Sequence, residues 1–211
     1  MIIEFNKVMC ISAHPDDIEL SMGGSVSRFK EMNIDVYFVI NYIPCDFTTA
    51  SYKERINEVH DSLNVFGIPK ENLIINNFRD KSMREKIYDI DNIISSISPD
   101  AVFTHYENDV HQDHRDVFNV VYSSCRNKSV SLFMWENNMV GGLLKDTFNP
   151  NFFIKLNENN INEKINSWKC HKSQYKKYQC IDEDMKNYSK YLGRLCKTNF
   201  VEQFKSIKLL I

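Results

Sequence analysis

The sequence predicts an α/β protein with a mostly parallel sheet, helices on both faces of that sheet, and a single domain. Short apolar runs alternate with amphipathic stretches through the first two-thirds of the chain, which is the order of a repeated strand–helix unit. The apolar runs are continuous, as is typical of strands that are buried on both faces. A length of 211 residues suits one domain with a good-sized core.

The first four elements establish the alternation. Residues 8–11 (VMCI) form an apolar run that predicts a buried strand, and residues 24–32 follow as a helix. Residues 35–42 (DVYFVINY) are rich in β-branched and aromatic side chains, which predicts a second strand. Residues 52–66 have the periodicity of a helix, and Gly67 provides a stop signal.

The next four elements continue the same order. Residues 72–75 predict a short strand, and residues 83–97 predict a helix that ends before Pro99. Residues 101–105 predict another strand, and residues 113–125 predict another helix. Four strand–helix pairs in succession favour parallel pairing, because parallel strands need a crossover connection.

The last third of the chain has a different pattern. Residues 130–135 and 151–156 are expected to be strands, whereas residues 162–178 and 183–196 are expected to be helices. Helix and strand are separated less clearly by periodicity here than in the first two-thirds.

Composition and charge exclude several classes of function. Apolar residues make up 43% and charged residues 26%, as in ordinary globular proteins, and the net charge of -2 provides no basic excess for nucleic acid. We expect no membrane span, because no run of about 18 apolar residues occurs, and the N-terminus has no signal-peptide pattern. A cytoplasmic protein with free thiols is therefore expected, with Cys10 and Cys125 in the core.

A polar cluster follows the first predicted strand directly: His14, Pro15, Asp16 and Asp17. Ligands of parallel α/β sheets bind at the carboxyl ends of the strands, so this cluster lies where sites form. Pro15 restricts the backbone of the turn. Adjacent carboxylates must point in different directions, so one can bind a metal while the other stays free as a base.

A second cluster, His111, Asp113 and His114, follows the strand predicted at residues 101–105. The two histidines are three positions apart, so one helical turn would place them on one face. Imidazole and carboxylate are ligands of catalytic zinc, which takes three protein ligands and leaves one position for water. His14, Asp17 and His114 can supply that set.

Each cluster alone also has an ordinary structural explanation. A histidine at a strand end is often a hydrogen-bonded loop residue, and paired Asp residues often cap the next helix. Two His/Asp clusters that follow two strands of one sheet favour a functional site over these explanations. Three other residues are expected to be structural: His105 as a hydrogen-bond partner beside the site, His60 as a surface residue and Trp135 in the core.

Residues 12–20 (SAHPDDIEL) with Gly23 and Gly24 resemble the first motif of the LmbE-like, or PIG-L-like, de-N-acetylases, and residues 104–114 resemble the second. Weaker matches are Arg55, Glu58, Lys164, His171, Ser173 and Gln174. The resemblance implies a Rossmann-like fold and zinc-dependent removal of the acetyl group from an N-acetylated amino sugar. We expect one domain over residues 1–211, with the Rossmann-like core at 1–126 and the C-terminal strands and helices at 127–211 completing the site.

The resemblance also implies a role for each motif residue. The implied zinc ligands are His14, Asp17 and His114. Asp16 is the implied general base and His111 the group that polarises the acetyl carbonyl, with Asp113 orienting His111. Candidates for substrate contacts are Arg55, Glu19 and Glu136, although an ion pair with Glu58 would explain Arg55 equally well. Zn²⁺ is the expected cofactor, and Fe²⁺ would also fit two His and one Asp.

Two departures from the family pattern concern the substrate. Ser21 replaces a usual glycine, and residues 41–46 (NYIPCD) replace the usual threonine–glycine turn. A small-molecule N-acetylated sugar that differs from those of the best-known members is therefore the expected partner. The chain also lacks the N-terminal membrane anchor of the eukaryotic phosphatidylinositol-linked members, so we expect a soluble substrate. Two other functions stay open, a zinc hydrolase of another small N-acyl substrate and a non-catalytic sugar- or metal-binding protein. The sequence is silent on oligomeric state, so a homo-oligomer is compatible with it.

Overall fold

A computed structural model describes residues 5–43, 50–137, 147–178 and 181–210. The strands are β1 (Lys7–Ser12), β2 (Asp35–Ile40), β3 (Leu73–Ile75), β4 (Ala101–His105), β5 (Ser131–Trp135), β6 (Phe152–Leu156) and β7 (Phe200–Lys208). The helices are α1 (Asp17–Glu31), α2 (Tyr52–Phe66), α3 (Met83–Ile97), α4 (Gln112–Cys125), α5 (Glu158–Cys170), α6 (Lys172–Tyr175) and α7 (Ile181–Leu195). In this part of the chain the strands form one sheet of order β3-β2-β1-β4-β5-β7-β6.

The sheet is mostly parallel, which confirms the predicted α/β class. Strands β1 to β5 pair in parallel, whereas β7 is antiparallel to both of its neighbours, β5 and β6. Strand β1 lies between β2 and β4, so the order of the strands reverses there. A reversal opens a crevice at the carboxyl ends of the strands, and such crevices bind ligands in this fold class.

The core has two layers, one on each face of the sheet. Val8 and Cys10 of β1 belong to the layer that packs under α1 and α2, whereas Met9 and Ile11 belong to the layer under α3 and α4. Both layers are fully buried at this strand, which explains why its apolar run is continuous. Of the cysteines, Cys45 and Cys180 lie outside the described residues, and the others are free, with Cys10 and Cys125 in the core as predicted.

Helix α1 begins seven residues before the predicted start at residue 24. It has a kink at Met22, where φ is -140° and ψ is 20°, so the prediction covered only the segment after the kink. The amides of Gly24 and Ser25 donate to the carboxylate of Glu202 at 3.1 and 2.6 Å. Gly24 lies inside the helix, and a Cβ atom there would lie 2.6 Å from a methyl group of Leu156.

The sequence did not predict β7. Its buried positions include Glu202, and a buried carboxylate interrupts the apolar pattern by which a strand is recognised. The helix predicted at 162–178 is divided at His171, whose φ of -79° and ψ of 61° end α5 before α6 begins. Among the described residues, no helix combines the length and the apolar character that crossing a bilayer requires.

Candidate metal centre and active site

The predicted metal ligands meet at the carboxyl ends of β1 and β4. The Nδ1 atom of His14 lies 3.5 Å from Asp17 Oδ2, and the Nε2 atom of His114 lies 3.4 Å from Asp17 Oδ1. Zinc bonds of about 2.0–2.2 Å at the tetrahedral angle place two ligand atoms about 3.3–3.5 Å apart. Each imidazole nitrogen therefore lies at the distance from the Asp17 carboxylate that a shared zinc ion requires.

The second ring nitrogen of each histidine contacts a carboxylate. His14 Nε2 lies 3.0 Å from Asp113 Oδ2, and His114 Nδ1 lies 3.0 Å from Asp109 Oδ2. Histidines that bind metals nearly always donate their other N–H to such a group, which fixes the tautomer and leaves the first nitrogen free. The structure thus differs from the expectation for Asp113, because its carboxylate contacts His14, and only its backbone N–H reaches His111.

Asp109 has a role that the sequence reasoning did not assign. Besides its contact with His114, it accepts a hydrogen bond from the backbone N–H of His111 at 2.8 Å and is nearly buried. It therefore shapes the loop between β4 and α4. The spacing of Asp109, His111, Asp113 and His114 was visible in the sequence, but the pairing of carboxylates with rings depends on the loop conformation.

Two other groups of residues lie close enough to hold a metal ion together, His14 with His111 and His114, and Asp17 with His105 and His114. The Nε2 atom of His105 accepts the backbone N–H of Ala13 at 2.8 Å, so the lone pair that would bind a metal is already used. His105 is fully buried, with its ring stacked on that of His114 at 3.9 Å. His105 thus has a structural role beside the site, as expected from the sequence. His14 is the better candidate to bind a metal together with Asp17 and His114.

The charges of the metal-free site favour protonated histidines. Burial disfavours the charged ring of His14, but its contacts with Asp113 and Asp17 raise its pKa to about 9. Burial also opposes the charge on His114, but Asp17 and Asp109 raise its pKa to about 10. The pKa of Asp17 is held well below its usual range, against burial, by His114 and His105.

Asp16 lies in the same turn in a strained backbone conformation. Its φ of 110° is in the left-handed region, which non-glycine residues rarely adopt and which is common at functional sites. Burial raises the pKa of its carboxyl group, while Arg55 opposes the rise with its Nη2 atom 3.6 Å from Asp16 Oδ2. A carboxylate that has a raised pKa and lies close to a predicted metal ligand is suited to proton transfer.

His111 caps the N-terminus of α4, and its Nδ1 atom accepts the backbone N–H of Asp113 at 3.2 Å. This bond leaves the proton of the neutral ring on Nε2. Burial and the neighbouring rings of His114 and His14 lower the pKa of His111. The ring packs 4.6 Å from that of His114, so an N–H donor stands next to the predicted metal site.

Two of the three candidate substrate contacts do not line the cavity that holds the predicted metal ligands. Glu19 is 2% exposed, and its carboxylate contacts the Ser62 hydroxyl and His171 Nε2. The expectation for Glu19 is therefore wrong, because the packing of α2 and α5 against α1 covers it. Glu136 is half-buried in a separate cavity of about 20 Å³, where Tyr188 and Gln203 approach it, so the structure does not bring it to the metal ligands.

Arg55 lines the cleft, but its guanidinium binds other groups of the protein. It is 1% exposed, contacts Glu58 at 3.2 Å, and donates to the carbonyl oxygen of Pro15 at 2.6 Å. Ser173 closes this network, because its N–H and hydroxyl both donate to Glu58. The weakly matching residues of α2 and α6 therefore hold the turn that carries Asp16. His60, expected on the surface, is only partly exposed.

The site opens into two cavities that share His14 and Asp113. One, of about 470 Å³, is lined by the predicted ligands, Asp16 and His111. The other, of about 870 Å³, is lined by amide and hydroxyl side chains together with charged ones. Among its described residues are Tyr42, Asn76, Asn77, Gln112 and Asn119. Tyr42 belongs to the segment 41–46 that replaces the usual threonine–glycine turn, and residues 44–46 of that segment lie outside the described residues.

Comparisons with known proteins find similar sequences and similar structures. A curated relative, the uncharacterized deacetylase YaiS of Escherichia coli K12, is 29% identical over 128 residues, 56% of this chain and 68% of its own. The conserved protein TT1542 of Thermus thermophilus has a similar structure, with a TM-score of 0.81 at 20% identity over 99% of this chain and 97% of its own.

Two further solved structures share the fold. The N,N'-diacetylchitobiose deacetylase of Pyrococcus horikoshii has a TM-score of 0.80 at 19% identity, over 97% of this chain and 85% of its own. GalB, the 4-carboxy-2-hydroxymuconate hydratase of Pseudomonas putida KT2440, has a TM-score of 0.80 at 13% identity, over 98% of both chains. The fold therefore occurs with more than one reaction, so the reaction must be argued from the site.

The match to a family model is more specific than the fold. The model described as PIG-L, GlcNAc-PI de-N-acetylase, matches residues 9–125, which are more than half of the chain. This span contains both His/Asp clusters and Arg55. The chain therefore belongs to the PIG-L family of deacetylases.

Proposed function

We propose that the protein is a zinc-dependent hydrolase that removes the acetyl group from the nitrogen of an N-acetylated amino sugar or its conjugate. One observation carries the proposal. His14 and His114 each contact a carboxylate through one ring nitrogen and face Asp17 with the other. A free carboxylate, Asp16, stands in the same turn, which is the arrangement that metal-assisted hydrolysis needs.

Amide hydrolysis requires an activated nucleophile, a stabilised oxyanion and a protonated leaving amine. Zinc held by His14, Asp17 and His114 would supply Lewis acidity, which polarises a carbonyl and lowers the pKa of water from 15.7 to about 7. The remaining requirements fall to side chains of this chain. Fe²⁺ would supply the same Lewis acidity at this donor set.

Asp16 acts as the base in this proposal. Its carboxylate takes a proton from the attacking water as the new carbon–oxygen bond forms. It then gives the proton to the sugar nitrogen as the carbon–nitrogen bond breaks, so that free amine and acetate leave. The raised pKa of Asp16 suits both halves of this transfer, because a base with a very low pKa would hold the proton poorly.

His111 stabilises the oxyanion in this proposal. The Asp113 N–H occupies Nδ1 and leaves Nε2–H as the donor, so the neutral ring can serve. Removal of one such donor typically lowers turnover on the order of 100- to 1,000-fold. Asp113 acts on both sides of the site, with its carboxylate on the predicted ligand His14 and its amide on His111.

The shape of the cleft supports a conjugate as the substrate. The cavity of about 470 Å³ holds the reacting groups, and the adjoining cavity of about 870 Å³ offers polar side chains to a second unit. Pockets for small ligands have volumes of this order. An N-acetylated sugar joined to a further polar group would use both cavities, with the acetamide at the metal site.

The test is amine release from a panel of N-acetylated compounds. The panel contains free N-acetylglucosamine, its disaccharide and glycoside conjugates, and N-acetylated amines without a sugar, assayed before and after chelation and after addition of Zn²⁺ or Fe²⁺. Release from the sugars that stops with chelator and returns with metal is expected. Release only from the amines would replace the sugar by another N-acyl substrate. No release from any member, with one zinc bound per chain, would contradict the proposed reaction.

A further inference from the structure

Asn137 reaches the predicted metal site from a third strand. It follows β5 closely, lies outside residues 9–125, and is 8% exposed. Its Nδ2 atom lies 3.2 Å from Asp17 Oδ1, in the cavity that holds the predicted ligands. The site is therefore closed by a side chain that neither His/Asp cluster contains.

The side-chain amide of Asn137 can have only one orientation. An ionised carboxylate accepts hydrogen bonds and cannot donate them, so the NH₂ group must face Asp17. In this orientation Asn137 Oδ1 is buried, and among the described residues it has no hydrogen-bond partner. The amide therefore faces the Asp17 carboxylate with its donor side.

The two oxygens of Asp17 have donors from different parts of the chain. Oδ2 accepts the backbone N–H of His14 at 2.7 Å, within the same turn, while Oδ1 accepts from Asn137. His114 Nε2 is also near Oδ1, but a metal bound there would replace its proton. With a metal bound, Asn137 would still donate a hydrogen bond to Asp17 Oδ1, whereas His114 would not.

From this geometry we infer that Asn137 is a positioning residue for the metal centre. It fixes the plane of the Asp17 carboxylate from β5, so that the ligand oxygen is oriented before the metal arrives. The inference rests on the proposed metal site but not on the identity of the substrate. Outer-shell hydrogen bonds of this kind typically change metal affinity by about 10- to 100-fold.

The experiment compares zinc affinity in two matched variants. Asn137→Leu removes the amide and keeps a similar volume. Asn72→Leu is the control, because Asn72 is also 8% exposed and donates its amide to a backbone carbonyl, that of Val36, at 3.0 Å. The zinc dissociation constant of each apo protein is measured by competition with a chromophoric chelator, and stability is measured by urea unfolding without metal.

Asn137→Leu is expected to weaken zinc binding about 10- to 100-fold, whereas Asn72→Leu is expected to leave it within twofold of wild type. An unchanged zinc dissociation constant in Asn137→Leu would overturn the inference. If that variant does not fold, Asn137→Ala is measured in the same way and judged by the same criterion. Wild-type protein that binds no zinc would overturn the proposed function as well, so the two failures are distinguishable.

Discussion

Arg55 Nη2 donates to the carbonyl oxygen of Pro15 at 2.6 Å, which joins the first turn of α2 to the turn that carries Asp16. Burial raises the pKa of Asp16, and among the groups that oppose this rise the same guanidinium has the largest effect. A buried arginine with these two contacts has both a structural and an electrostatic effect on the proposed base.

Arg55→Met is expected to shift the acid limb of the pH profile of kcat/KM to higher pH. Arg55 lowers the pKa of Asp16, so its removal raises that pKa, and the ionised base is then lost at a higher pH. The shift should be on the order of one pH unit. Arg28→Met is the control, since Arg28 forms an exposed pair with Glu31. If the acid limb of Arg55→Met lies at the same pH as that of wild type, the limb does not report the ionisation of Asp16.

Asp16→Asn is expected to keep zinc and lose turnover. Asparagine tolerates a positive φ better than most residues, so this change preserves the turn, whereas alanine would add strain. Loss of a general base typically costs on the order of 100- to 10,000-fold in rate. His14→Ala should instead lose the metal itself. Metal content and turnover are measured on the same samples, and normal turnover in Asp16→Asn would refute the assignment of the base.

Zinc binding at pH 7 is expected to release about two protons per chain. The pKa values of about 9 for His14 and about 10 for His114 mean that both rings are protonated in the metal-free protein, and a ligand nitrogen must lose its proton. Zinc affinity should therefore rise with pH toward these values. Calorimetry in two buffers of different ionisation enthalpy counts the protons. His111→Asn should not change the count, and release of less than one proton would mean that His14 and His114 are largely neutral before zinc binds.

Stability should depend on the buried pair of Glu19 and His171, whose Oε1 and Nε2 atoms lie 3.0 Å apart. Glu19 raises the pKa of His171 against burial, so this contribution is complete below about pH 6.5 and is lost as pH rises through the folded-state pKa. His171 lowers the pKa of Glu19 against burial, so that contribution is complete above about pH 4.5 and is lost as pH falls through the folded-state pKa. The pair therefore stabilises most between these values.

His171→Leu tests this pair, because it leaves the Glu19 carboxylate buried without its cation. The free energy of unfolding should fall by about 3–5 kcal/mol, and the difference from wild type should be largest between pH 4.5 and 6.5. Urea unfolding of the metal-free proteins at several pH values provides the measurement. A difference that stays constant across pH would mean that the two groups are not paired as charges.

Much of the fold could be predicted from local sequence because local interactions define it. The bounds of α2, α3 and β4 agree with the prediction at both ends. Helix α2 begins with a capping box formed by Ser51 and Glu54, and α3 begins with the same arrangement of Ser82 and Glu85. The partners of Glu202 are distant in the chain, so no local pattern could identify β7.

The candidate site divides in the same way. His14 and His114 could be brought together in prediction, because the strands before them are neighbours in a parallel α/β sheet. Glu19 was misjudged because its burial depends on α2 and α5, which pack against α1 from other parts of the chain. Asn137 was missed because a lone Asn after a strand carries no spacing signal, and its partner is 120 residues away.

The contact between Glu202 and the α1 amides of Gly24 and Ser25 has a consequence for folding during synthesis on the ribosome. These partners are separated by 177 and 178 residues, so the ribosome synthesises the motif that contains the proposed zinc ligand His14 long before the strand that fixes its helix. A nascent chain must complete residues 200–208 before α1 is held in place. Zinc loading is therefore expected late in biosynthesis, when nearly all of the described chain has emerged.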